Sequence, residues 1–343
     1  YAQIYKDCDE AISLFQQSGM DRDAGKVWMT NENVAHAVYA RAALTKQDYS
    51  KALSEAKEAK VGYPLMTNAE YQAGFCNPTS EWIFGSYGSA QENNWYWSYG
   101  TQYSCNGYYA SSQPTGAGAI GRELINRIPN NDARKALCLT EDKFPNHDWS
   151  AANPDPYLQT YAIMGMTDDA LLNEVDAYCQ KMTPSGLTRA YASGFFYLGG
   201  QLKFWVFDTP GVGYLPFIRT SEMVLIEAEA NYFLNNEAAA QASLVELNAS
   251  SGRNPGYTCA KTGEDLFNEI KDYRELELWG ECSWSDYKRW NLPVVRTTYA
   301  QGGNSHAAAA VTIPANGANN WTWEVPLAET DYNDELKLFE GEK

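Results

Sequence analysis

Residues 34–56 of the chain, VAHAVYARAALTKQDYSKALSEA, predict two short helices joined by a tight turn. Apolar residues recur at helical spacing on both sides of the polar run 45–48. The polar residues 30–33 precede the first helix, and Gly62 and Pro64 close the second. Because the alanines at the contact are small, the two helices can approach closely and form a helical hairpin.

A second hairpin is predicted over residues 217–248, where an apolar helix, an Asn-Asn turn and another helix follow one another. Ala40 and Ala52 in the first pair are 12 residues apart, and so are Ala228 and Ala240 in the second. That spacing is typical of tetratricopeptide-like helix pairs, whose small residues let neighbouring helices pack closely.

The remaining pattern predicts a mostly α protein with one loop-rich half. Four further helices are predicted over residues 1–17, 119–127, 168–182 and 263–290. The two helices of the second hairpin cover residues 217–234 and 237–248. Two aromatic segments, 195–197 and 204–207, predict short strands or buried extended chain. We expect tetratricopeptide-like helical hairpins that support a loop-rich half with a few short strands.

The composition changes along the chain in a way that predicts one domain with distinct parts. Gly, Pro, Asn, Ser and aromatic residues dominate 66–215, between the two hairpins. We expect a single domain over 1–343, with a helical scaffold (1–65 and 216–290), a loop-rich ligand side (66–215) and an irregular closure (291–343). Long loops on a rigid scaffold are where binding surfaces usually lie.

The charge balance excludes one large class of partner. The 343 residues include 43 acidic and 26 basic side chains, which give a net charge of −17. This field repels a phosphate backbone, so nucleic acid is not an expected partner. Aromatic residues reach 14%, with 11 Trp, 24 Tyr and 12 Phe. Tyr and Trp combine an apolar face with a polar group, which suits ligand sites as well as cores.

The sequence predicts no cofactor and no metal site. The seven cysteines contain no Cys-x-x-Cys pair, and the three histidines are isolated. The acidic segments 130–132 and 167–169 are too short for a calcium loop. Cys76 and Cys105 flank one loop-like region and would form a disulfide only in an oxidising compartment; the alternative is that the thiols are dispersed and buried.

Targeting signals are not evident within the chain. No run approaches the roughly 20 apolar residues of a transmembrane helix. The first 20 residues carry Lys6, Asp7, Asp9 and Glu10 in a helical pattern, which does not fit a secretory signal peptide.

Six short motifs follow one another along the chain. They are VYARAAL (38–44), DYSKAL (48–53), SEWIF (80–84), PFIRTSEM leading into EAEA (216–230), RELELWGE followed by DYKRWN (274–291), and WEVPLAE (323–329). In this order they resemble the SusD/RagB family of outer-membrane nutrient-binding lipoproteins. The chain departs from the family pattern at Cys282, where Gly is usual, and at 257–259, where a simpler loop is common.

The resemblance implies a function, a place and a partner. It implies non-catalytic capture of oligosaccharides and their delivery to a SusC-like TonB-dependent transporter, with peptides as the ligand in a minority of relatives. It also implies attachment to the outer membrane, facing outward, through an upstream lipid-bearing Cys. Since the start resembles an internal family helix, we expect a signal peptide, that Cys and the first helices to precede Tyr1.

The uncharged aromatic segment 93–109, NNWYWSYGTQYSCNGYY, is the candidate ligand site. A sugar ring packs its apolar C–H face on Trp or Tyr, and its hydroxyl groups bond to amides and backbone. The expected ligand contacts are Asn94, Trp95, Tyr96, Trp97, Tyr99, Gln102 and Tyr103. The alternative is that these rings pack onto the helical hairpins. Trp321 and Trp323 are weaker candidates.

Helical carboxylates allow a catalytic interpretation, which their spacing disfavours. A glycoside hydrolase needs two carboxyl groups about 5–10 Å apart across a cleft. Glu227 and Glu229 are two residues apart and face different sides of a helix. Glu277 and Glu281 share a side, but basic residues within 274–289 favour structural ion pairing.

We therefore expect no catalytic residue, and three functional classes remain. Glycan capture is the first. A peptide-binding helical-repeat adaptor would need a bare concave helical groove. A glycoside hydrolase would need a carboxylate pair on a cleft and would release reducing sugar.

Overall fold

The computed structural model describes residues 1–23, 25–89, 104–106, 119–144, 169–187, 198–207, 212–281 and 283–315. The helices of this part are α1 (Ala2–Ser18), α2 (Glu32–Thr45), α3 (Tyr49–Ala59), α4 (Asn68–Gln72), α5 (Arg122–Arg127), α6 (Asp169–Met182), α7 (Thr220–Phe233), α8 (Glu237–Val245), α9 (Gly263–Glu277) and α10 (Ser283–Trp290). The strands are β1 (Trp82–Gly85), β2 (Pro216–Arg219), β3 (Val294–Val295) and β4 (Thr312–Ile313). They form two antiparallel pairs, β1–β2 and β3–β4. The predicted mostly α fold with a few short strands is confirmed.

The first hairpin, α2 and α3, forms where the sequence predicts it. The Asn31 side chain accepts a hydrogen bond from the Val34 N–H at 3.2 Å and caps α2. Asp48 accepts one from the Lys51 N–H at 3.3 Å and caps α3. The contact is built from small residues, namely the fully buried Ala37, Ala40, Ala43, Ala52, Ala56 and Ala59. Short side chains therefore set the close approach of the two helices.

The second hairpin, α7 and α8, begins three residues later than predicted. Residues 216–219 form strand β2 against β1 instead of the first turn of the helix. Asn235 takes a positive φ of 59° in the turn between α7 and α8. Helix α7 is buried along nearly its whole length and packs against α3, α8 and α9. The link to tetratricopeptide repeats stays a prediction.

The predicted helical stretch 263–290 forms two helices, α9 and α10, rather than one. The chain turns between α9 and α10, and Gly280 has a φ of 77° in that turn. A left-handed backbone of this kind ends an α-helix and favours glycine.

Three hydrophobic clusters form the core of the described part of the chain. The cluster under the loop-rich half is rich in aromatic residues and includes Tyr71, Phe75, Trp82, Phe204 and Trp205. Phe204 forms an isolated β-bridge with Phe75, which confirms 204–207 as extended and largely buried. The predicted segment 195–197 lies outside the described residues. Cys76 is a buried free thiol in this cluster, so the possible disulfide to Cys105 is not formed.

A buried ionic network joins the scaffold to the loop-rich half. Arg219 contacts Glu81 at 2.7 Å and Glu277 at 3.0 Å. Lys203 donates hydrogen bonds to Glu281 Oε1 at 2.7 Å and to the Glu277 carbonyl at 2.9 Å. The structural ion pairing expected for Glu277 and Glu281 is present, with cations from distant segments of the chain.

Candidate functional site

All seven predicted ligand contacts, Asn94, Trp95, Tyr96, Trp97, Tyr99, Gln102 and Tyr103, lie outside the described residues, as do Trp321 and Trp323. The structure describes residues 104–106 of the aromatic segment, and these are mostly buried. Their positions show how one end of the candidate site is held.

Asn106 fixes that end to the core. Its Nδ2 donates to the Val206 carbonyl at 2.8 Å, and its Oδ1 accepts from the Val206 N–H at 2.9 Å. One side chain thus replaces a strand partner for Val206. The Cys105 N–H adds a bond to the Phe204 carbonyl at 2.8 Å.

Residues 86–88, which precede the aromatic segment, lie against residues 213–215. Ser86 donates its N–H to the Leu215 carbonyl at 2.8 Å, and its Oγ accepts from the Leu215 N–H at 2.8 Å. A Cβ on Gly88 would lie 2.6 Å from the Gly213 carbonyl oxygen, so this close approach requires glycine. Residues 86–88 and 104–106 are therefore both held by residues 204–206 and 213–215.

Four aromatic side chains, Trp28, Tyr87, Phe207 and Tyr214, gather beside these two ends and are here called the root cluster. Tyr87 is 50% exposed and Phe207 is 38% exposed, while Trp28 and Tyr214 are half-buried. The ring centroids of Trp28 and Tyr87 are 4.6 Å apart, and Tyr214 lies 6.0 Å from Trp28 and 6.1 Å from Phe207. The cluster presents aromatic surface to solvent beside residues 86–88 and 104–106.

Local backbone contacts place these rings together. The Gly85 N–H donates to the Val27 carbonyl at 3.1 Å, which brings Trp28 beside Tyr87. Arg22 supports the same edge, since its guanidinium donates to the carbonyls of Ile83 and Trp82 at 2.5 and 3.2 Å. Hydrogen bonds between these segments therefore fix the positions of the rings.

Sequence reasoning missed the root cluster. A usable signal was present for two rings, because Tyr87 lies within Gly-Ser-Tyr-Gly-Ser (85–89) and Tyr214 follows Gly-Val-Gly (211–213). Aromatic residues flanked by glycines beside an aromatic segment favour an exposed position. Trp28 carries no such signal, since it meets Tyr87 only in the folded chain.

The carboxylates considered for catalysis are enclosed. Glu277 is fully buried. Burial opposes its ionisation, but Arg253, Arg219, Arg134 and Lys203 outweigh that effect and lower its pKa to about 2. Burial likewise opposes ionisation of Glu281, while Arg219 and Lys203 lower its pKa. A catalytic acid needs a raised pKa and access to substrate, so this pair is structural.

The described part of the chain has neither a metal-binding cluster nor a membrane-spanning helix. No group of three or more His, Cys, Asp and Glu side chains is arranged there to hold a metal. Asp132, in the segment considered for calcium, is engaged by Arg134 at 2.6 Å. No helix among the described residues has the length and apolar character to span a bilayer.

Comparison with protein families settles the class. The model of the SusD family matches residues 45–337, and the chain therefore belongs to the SusD family. The resemblance seen in the sequence motifs is confirmed. No curated protein matches the chain.

Solved structures agree in fold. A SusD-like carbohydrate binding protein from Bacteroides vulgatus is similar with a TM-score of 0.66 and 20% identity, over 96% of this chain and 63% of that one. A SusD superfamily protein from Bacteroides thetaiotaomicron gives 0.61 and 19%, over 95% and 64%. A SusD-like carbohydrate binding protein from Bacteroides fragilis gives 0.59 and 13%, over 96% and 70%. The chain spans less than two thirds of the length of the first two.

Proposed function

We propose that this protein captures oligosaccharides by non-catalytic binding on an aromatic surface made of the root cluster and residues 93–103. The observation that carries the proposal is the partly exposed root cluster beside residues 86–88 and 104–106. Membership of the SusD family supports it. So does the likeness to proteins named as carbohydrate binding.

The proposed mechanism is stacking on a rigid frame. The faces of Trp28 and Tyr87 offer apolar surface for the C–H face of a sugar ring, and tyrosine hydroxyls and neighbouring amides bond to its hydroxyl groups. Because Asn106 and Ser86 hold the ends of the segment to the core, less freedom is lost when the ligand binds.

Absence of catalysis is part of the proposal. The best-placed carboxylate pair in the sequence, Glu277 and Glu281, is enclosed by basic side chains away from solvent. A buried, ion-paired carboxylate cannot protonate a glycosidic oxygen, which argues against a glycoside hydrolase built on these residues.

Membership of the SusD family supports a proposal about the place and the partner. We propose that the protein works at the outer membrane, facing outward and lipid-anchored, and passes oligosaccharide to a SusC-like TonB-dependent transporter. We also propose that residues 1–343 act as one domain, with the helical scaffold carrying the ligand side.

A glycan array followed by calorimetry tests the proposal. The variants are Trp28→Ala, Tyr87→Ala and the double variant Trp95→Ala/Trp97→Ala, with Trp284→Ala as an exposed tryptophan of the scaffold for control. We expect a glycan to bind the wild type and the control equally, and Trp28→Ala to weaken it about tenfold. A wild type that binds no glycan, or equal affinity in all variants, would contradict the proposal.

A further inference from the structure

A cavity lies between α9 of the helical scaffold and α5 of the loop-rich half, and it shares no residue with the root cluster. It encloses about 390 Å³ between α5, α9 and the segment 257–261. Ligand pockets commonly measure about 300–1,000 Å³, so the cavity has room for a small ligand. Its wall at Tyr257 belongs to the stretch 257–259, where the sequence departs from the family pattern.

Helical spacing builds two of its walls. Glu269, Asp272, Tyr273 and Leu276 recur at intervals of three and four residues and share one face of α9. Leu124 and Ile128, on and just after α5, belong with Tyr257, Tyr273 and Leu276 to one core cluster and form an apolar floor. The rings of Tyr257 and Tyr273 meet edge to face at 5.2 Å.

Four charged side chains surround this apolar floor and form ion pairs with one another. Arg127 Nη2 lies 2.9 Å from Asp272 Oδ1, and Lys261 pairs with Glu269. The side chains of Arg127, Lys261 and Asp272 are 47%, 54% and 40% exposed. Two cations and two anions give the rim no net charge.

The rim groups keep hydrogen-bonding capacity. Arg127 contacts Asp272 only through Oδ1, which leaves Oδ2 able to accept. Lys261 has three N–H donors and one carboxylate partner, Glu269. Tyr257 donates its hydroxyl to Glu269 Oε1 at 2.7 Å and so holds that carboxylate in place.

We propose that this cavity binds a single neutral hexopyranose unit, independently of the root cluster. An ionic ligand would have to break an existing ion pair, whereas a neutral polyol does not. Its hydroxyl groups donate to Asp272 and accept from Lys261 and Arg127, while its C–H face lies on the Tyr273 and Leu276 floor. The apolar floor with hydrogen-bonding groups of both kinds at its edge is the chemistry that a pyranose ring requires.

The test uses the methyl glycosides of glucose, galactose and mannose, with saturation-transfer NMR and calorimetry on the whole chain. Asp272→Ala and Lys261→Met each remove one rim group, and Lys26→Met is the matched exposed lysine in an ion pair elsewhere. Exposed ion pairs contribute little to stability, so these variants should remain folded, which thermal unfolding checks.

We expect at least one glycoside to bind the wild type and Lys26→Met equally, and each rim variant to bind it about tenfold more weakly. Binding that no rim variant changes, or that Trp28→Ala abolishes, would overturn the proposal. A wild type that binds none of the three glycosides would also overturn the proposal. The same holds for a wild type that binds the zwitterion glycine, used as an ionic probe, but no glycoside. If this proposal fails, glycan binding at the root cluster is not affected. The affinity of Trp28→Ala distinguishes binding at the root cluster from binding in this cavity.

Discussion

Arg219 Nη1 lies 3.0 Å from Glu277 Oε1 in the centre of the fold, although 58 residues separate the two along the chain. Neither side chain has exposed surface. Arg134 and Arg253 approach the same carboxylate at 3.1 and 3.3 Å, and Glu81 contacts Arg219 at 2.7 Å. This network ties β2 and α9 to the turn before β1, and through Arg134 to the loop-rich half.

Glu277→Gln should destabilise the protein strongly. The change leaves Arg134, Arg219 and Arg253 buried without their shared counter-charge, and breaking a buried ion pair on one side costs about 3–5 kcal/mol. Urea unfolding measures the free energy of unfolding. The control Lys26→Met breaks an exposed pair with Asp23 and should change it by less than about 1 kcal/mol. Equal stability of Glu277→Gln and wild type would contradict this prediction.

Stability should fall in acid within a defined window. The pKa of Glu277 is about 2 in the folded protein, against an ordinary value of 4.5. A lowered folded pKa stabilises the protein above the unfolded value, and this contribution is lost as the pH falls through about 2. Burial opposes ionisation of Asp286 as well, but Arg274 and Arg289 lower its pKa.

The measurement is the unfolding free energy at steps from about pH 5 to about pH 2. The wild type should lose stability throughout this range. Asp286→Asn, which lacks one of the titrating carboxyl groups, should lose it less steeply. A wild-type curve that stays flat below pH 4.5 would rule out this origin of acid unfolding.

The scaffold could be predicted because its signals are local. The alanine spacing and the caps Asn31 and Asp48 lie within single hairpins. The break at Gly280 was missed because charged and apolar residues continue the helical pattern across it. The sequence predicts helix where strand β2 forms, because a short apolar run has no periodicity that distinguishes a helix from a strand.

Tertiary relations could not be predicted to the same degree. Three of the quoted motifs each supply a member of the ionic network, namely Glu81, Arg219 and Glu277. The motifs therefore mark a shared structural centre, but sequence spacing does not reveal which charges meet. The root cluster is similar, since Trp28 meets Tyr87 only through backbone bonds between separate segments.

His36 should make part of the scaffold stability depend on pH near neutrality. Its Nδ1 lies 2.6 Å from Glu55 Oε2, and this contact joins α2 to α3. Burial lowers the pKa of His36, but Glu55 and Glu32 outweigh burial and raise it above 6.5. A raised folded pKa stabilises the protein below the unfolded value, and the contribution is lost as the pH rises through the folded value.

Thermal unfolding of wild type and His36→Gln from about pH 6 to about pH 9 checks this expectation. The wild type should lose more stability than the variant over that range. Lys51 lies 3.4 Å from Glu55, so we expect the carboxylate to keep a cation in the variant. Parallel curves for the two proteins would show that the His36 contact does not titrate with folding.

Asn106→Ala should weaken both the fold and the proposed glycan binding. The variant leaves the buried N–H and carbonyl of Val206 without the Asn106 amide, which costs about 1–3 kcal/mol. It also releases Asn106 from the core, so ordering the aromatic segment on the ligand becomes more costly.

Asn33→Ala is the matched control, because Asn33 also bonds backbone carbonyls, but on the scaffold between α2 and α3. With calorimetry well below the unfolding temperature, the affinity for glycan should fall in Asn106→Ala and stay unchanged in Asn33→Ala. If both variants bind as the wild type does, the fixed ends of the segment have no part in recognition, and the root cluster would have to act without them.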